Sequence, residues 1–166
     1  MATVPKRAVE FAGYVLMHCA NLADGNRKGE LVCPFAIIEE EGERQVVEFE
    51  AGTQEEAVAR GQASLDDYRD SAERWGFARE GVYQSGGKGH DVLVVTVWID
   101  KMDVPASVIQ KFGRDDGAAL YMIGTPDLII HVGDVARHVL DWDRADLIKG
   151  VMSHPRGDKW GQWQPQ

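Results

Sequence analysis

The stretch GVYQSGGKGHDVLVV, Gly81 to Val95, sets Gly86, Gly87 and Gly89 around Lys88, directly ahead of an apolar run. Such a loop either cradles a phosphate or turns one strand into the next. A phosphate-binding loop needs a glycine six residues before its lysine, a Ser or Thr straight after it, and a helix beginning there. Val82 stands at the first of these positions and Gly89 at the second, and the run DVLVVTVWI, Asp91 to Ile99, reads as a strand. A dinucleotide fingerprint fails for the same reason, since it too requires a helix after its glycines. The stretch is a hairpin loop with backbone angles that favour glycine. DVLVVTVWI is apolar at nearly every position, which predicts a central strand covered on both faces.

Outward from this hairpin the chain divides into helices and strands. FAREGVYQ precedes the loop as its partner strand, and ASVIQKFGR and ALYMIG come after it as two more, separated by the turn signal DDG. TPDLIIHVGD then leads into a final helical region, for which Asp134 and Asp143 are both candidate N-caps. Upstream, TQEE at Thr53–Glu56 is a capping box that opens a helix reaching to about Trp75, with Gly76 as its stop signal. Before it, LVCPFAII and RQVVEFE form a hairpin centred on Gly42, and Pro34 points to an edge strand or a bulge. The first element, Lys6 to Ala23, carries Val9, Ala12, Leu16 and Cys19 at helical spacing. Hairpin-length connections between strands predict an α+β fold, a mainly antiparallel sheet of five or six strands with helices packed on one face. Residues 1–153 are expected as a single domain and 154–166 as a loosely ordered polar tail.

Composition excludes several classes of function. The 166 residues are 44% hydrophobic and 27% charged, with a formal net charge of −9, which fits one soluble domain. That charge repels a phosphate backbone, and the basic residues are scattered, so direct nucleic-acid binding is not expected. No stretch approaches the roughly 18 apolar residues needed to span a membrane. Lys6-Arg7 and the apolar residues after them imitate a signal peptide, but Glu10 and His18 interrupt the run and no clean cleavage site comes after it. Cys19 and Cys33 make no disulfide framework and read as free thiols in a reducing cytoplasm.

Three groups of residues are candidate sites. In HVGDVARHVLD, His131, Asp134, His138 and Asp141 recur at helical intervals, and imidazole with carboxylate suits zinc, manganese or iron. This spacing supports a second reading, a metal-dependent hydrolase-like enzyme using His131, Asp134 and His138. The simpler account makes Asp134 a cap and His138 the rim of an apolar face. Between Glu39 and Glu56 eight glutamates stand against one arginine; Glu40, Glu41 and Glu43 would present one half of a charge-steered interface, or merely a solvated turn. Trp160 and Trp163 are either anchors for a partner or a flap folded over a groove of the same chain. Neither cysteine has a basic neighbour to favour its thiolate.

No enzyme motif survives this reading, and no cofactor is implied. The residues point to a small acidic α+β protein that acts by binding a protein partner, basic in character, as an inhibitor, immunity-type or regulatory protein would. An open sheet edge is also compatible with a homodimer.

Overall fold

The computed structural model describes residues 4–27, 29–68 and 70–164. Its elements are α1 (Lys6–Asp24), β1 (Phe35–Glu40), β2 (Glu43–Glu48), α2 (Gln54–Tyr68), β3 (Arg74–Ser85), β4 (Lys88–Ile99), β5 (Ala106–Arg114), β6 (Leu120–Val132), β7 (Val135–His138), α3 (Arg144–Ser153) and a 3-10 segment, Gly157–Trp163. The strands form one antiparallel sheet in the order β2-β1-β3-β4-β5-β6-β7. The α+β class holds, with seven strands where five or six are expected.

Gly86 and Gly87, at φ of 60° and 80°, make the two-residue turn between β3 and β4. Both angles lie in the left-handed region that glycine reaches without a steric penalty. β4 is the middle strand of the seven, as its composition predicts.

Strand alternation divides the sheet into two faces. On the first, Phe35, Ile37, Leu93, Val95, Val97, Val108 and Leu128 meet the apolar stripe of α1, including Phe11, Val15 and Leu16. Burying one such side chain stabilises the fold by roughly 1.5–3 kcal/mol. On the second, Ala36, Ile38, Trp75, Phe77 and Trp98 pack against Leu65 of α2 and against Phe49. Helices therefore lie on both faces, α1 and α3 on one and α2 on the other. α2 reaches β1 and β3 but leaves the rest of its face uncovered. The expected burial of β4 on both faces thus holds at Val92 and Trp98 but not between them, where Val94 and Thr96 are half-exposed.

Three boundaries differ from the sequence reading for local physical reasons. α2 ends at Tyr68, where Ala72 N–H donates back to the Tyr68 carbonyl, so Trp75 belongs to β3. Gly76 is not a helix stop: a Cβ there would lie 2.7 Å from Val15 Cγ2, and its absence lets α1 settle on the sheet. Pro34 precedes β1, and the edge belongs to β2.

The largest difference is at the C-terminal end. Residues 154–164, expected as part of a loose tail, form an ordered closure of the first core. Trp160 and Trp163 are 6% and 5% exposed, edge to face with each other and packed into the cluster beneath α1. α3 opens with Asp143 as N-cap, its carboxylate accepting from Ala145 N–H at 2.9 Å. It crosses α1 at very close range, since a Cβ on Gly150 would stand 1.7 Å from the Glu10 carbonyl oxygen.

Candidate functional site

The residues marked for metal binding do not assemble. They lie on a β-hairpin rather than a helix, with β6 turning into β7 at Gly133 (φ 63°) and Asp134 within that turn. Pairing of His131 with Ala136 and of Ile129 with His138 sets the two histidines diagonally on one sheet face. Their donor atoms and the Asp134 carboxylate do not form a set within 4.8 Å, and Asp141 precedes α3 outside any such set. Among the described residues the set that does converge is Cys33, Glu48 and Glu50. There the thiol donates to the carbonyl oxygens of Phe49 (3.5 Å) and Pro34 (3.8 Å). Burial and the two carboxylates push its pKa up, which keeps the sulfur protonated. Cys19 is fully buried, and its pKa is raised chiefly by that burial. Trp160 and Trp163, as core residues, cannot serve as exposed anchors.

The acidic segment sorts into an internal part and an external part. Glu39 is 8% exposed and receives hydrogen bonds from Arg44, at 2.7 Å from Nε, and from Arg74. Burial opposes its ionisation, but the hydrogen bonds from Arg74 and Arg44 outweigh burial and hold its carboxyl below the usual range. The Arg44 guanidinium also stacks over Tyr14 at 4.1 Å, and Arg74 over Phe11 at 4.9 Å. Lys149 pairs with Glu10 at 3.3 Å, so the cations around this cleft between α1 and α3 all have carboxylate partners, Arg44 and Arg74 sharing the single Glu39. Outside it, Glu41 and Glu43 are exposed and Glu40 is half-exposed at the β1–β2 turn. Gly42 N–H donates to Glu73 at 3.2 Å, which adds a fourth carboxylate to the turn. They stand at the end of β2, a free sheet edge whose residues are almost all exposed, Val46 among them at 47%.

Beside that network His18 Nδ1 lies 3.1 Å from His154 Nε2, linking α1 to the chain after α3. His154 Nδ1 accepts from the Arg156 N–H at 3.0 Å. This bond assigns the proton of the neutral ring to Nε2, which donates to His18. Burial, and after it the neighbouring His18, Arg44 and Arg156, lower the His154 pKa to about 4.

On the second sheet face, next to α2, an open cleft of about 460 Å3 is floored by Val92, Val94, Ile109 and Ile129. Thr96 and Ser107 hydroxyls, 2.8 Å apart, satisfy one another on it. Gln62 and His131 stand at its rim, and Arg79 reaches in from β3. No motif in the sequence marks this cleft, because its residues come from four strands. The available signal was a lone arginine two residues before Gly81 in an alternating strand.

Comparison with protein-family models, with curated proteins and with solved structures found no match to this chain. Among the described residues no helix is long and apolar enough to cross a membrane.

Proposed function

We propose that this protein acts by binding a protein partner through the β2 edge and the acidic β1–β2 turn, rather than by catalysis. The observation that carries this reading is the gathering of Glu40, Glu41, Glu43 and Glu73 at the end of the outermost strand of the sheet. Like charges held together repel, so a surface that keeps them exposed gains most when a cationic surface covers them. The outward backbone groups of β2 offer an added strand its hydrogen bonds, and the carboxylates select for lysine and arginine in the partner. An inhibitor, immunity-type or regulatory role for a basic protein fits this chemistry, whereas nucleic acid does not. Free Cys19 and Cys33 fit a reducing cytoplasm.

The test compares the tagged wild-type protein with a Glu40→Gln, Glu41→Gln, Glu43→Gln variant in pull-downs at low and raised salt. Proteins held by the wild type are expected to be basic and to elute with salt. The variant loses them while its melting temperature stays the same. Equal capture by both proteins overturns the reading.

A further inference from the structure

We propose that the open cleft beside α2 binds a small amphipathic carboxylate, an aryl- or branched-alkyl acid whose apolar body lies on Val94, Ile109 and Ile129 and whose carboxylate engages Arg79. This site is on the opposite sheet face from the α1–α3 network and does not depend on the β2 edge.

Four observations carry the assignment. First, the chain bears 27 acidic residues against 18 basic ones, yet no carboxylate lines this cleft. Second, Arg44 and Arg74 on the other face share the Glu39 carboxylate, and Arg114 donates to the carbonyls of Ala23 and Ala118. Arg79 is half-buried, and among the described residues no carboxylate pairs with it. Among the described residues its one hydrogen bond is long, Nη1 to the Glu80 carbonyl at 3.5 Å. A guanidinium partly withdrawn from water without an anion is unfavourably placed, and burial accordingly lowers its pKa. A bound carboxylate would relieve that state through a two-pronged hydrogen bond.

Third, the backbone makes room for this arginine. A Cβ on Gly81 would stand 2.4 Å from Arg79 Nη1, so the guanidinium lies in the lane that Gly81 leaves open. Fourth, Val92, Val94, Ile109 and Ile129 give the floor a hydrocarbon patch beside the self-satisfied Thr96–Ser107 hydroxyls, and the volume lies in the range of small-molecule sites. A phosphate would want several donors around it, and one guanidinium above valine and isoleucine suits a monoanion with an apolar tail.

The experiment titrates the isotope-labelled protein with phenylbutyrate, phenylbutanol and phenylbutylamine, and follows amide and methyl resonances. The acid is expected to shift Val94, Ile109 and Ile129 and to bind at least about tenfold more tightly than the alcohol, with the amine weakest. Arg79→Met is expected to erase the preference for the acid and leave the alcohol's affinity near that of the wild type. Gly81→Ala, which displaces the guanidinium, gives the same readout if the methionine variant does not fold. Equal binding of acid and alcohol, shifts that map elsewhere, no binding at all, or a preference that survives both substitutions each overturn the proposal.

Discussion

Glu39 and His154 are both buried titratable groups, and their surroundings settle them in opposite charge states. Glu39 is held as a carboxylate by two guanidinium groups, while His154 is held neutral by burial among cations. The consequence for His154 has a definite sign. The unfolded chain takes up its proton near pH 6.5, and the folded protein does so only at about 4. Stability from this group is therefore fully present above pH 6.5 and is lost as pH falls toward 4. Melting temperature is expected to drop by several degrees across that window. His154→Asn, which can still accept from Arg156 and donate to His18, flattens the drop; an unchanged pH profile in that variant places its cause elsewhere. Single residues of this kind were not legible in the sequence. His18 and His154 lie 136 positions apart, and Arg79 stands out only once its neighbours across three strands are known.

At the scale of elements, what could be read depended on whether the signal was local. The β3–β4 hairpin is legible from Gly86-Gly87, α1 from its stripe, and α3 from Asp143, because each rests on residues adjacent in sequence. The segment from Asp134 on reads as a helix in the sequence, because His131, Asp134, His138 and Asp141 recur at intervals of three and four. The tight turn at Gly133 overrides that period. Trp75 likewise continues the period of α2 while belonging to β3, and the candidate metal site falls with the mistaken helix. The α1–α3 crossing rests on Gly13 and Gly150, where the added Cβ would come within 2.0 Å and 1.7 Å of backbone oxygens. Gly150→Ala is expected to cost about 3 kcal/mol, at the upper end of the usual penalty for overpacking, as measured by urea unfolding. Gly161→Ala is the control, since nothing lies within 4 Å of a Cβ there, and it leaves the midpoint nearly unchanged.

For the molecule as a whole, the sheet is unequally finished. One face is covered across its middle strands by α1, α3 and the buried tryptophans, while the other is covered only under α2. The sheet also ends in two edge strands, β2 and β7.

The β2 edge has a consequence for how copies of this chain treat each other. If two β2 strands met antiparallel about a twofold axis through their middle, Gln45 would face Val46, and Glu43 of one copy would face Glu48 of the other. Directly opposed carboxylates destabilise a strand pair, and the symmetry repeats the clash at both ends. Pairing of two copies in this register is therefore disfavoured, whereas lysine or arginine at the matching places of an added strand would be favoured. Glu43→Lys converts both clashes into opposite-charge pairs. Sedimentation analysis is expected to show this single substitution shifting the protein toward a salt-sensitive dimer; a variant that sediments like the wild type would refute the idea that these carboxylates guard the edge.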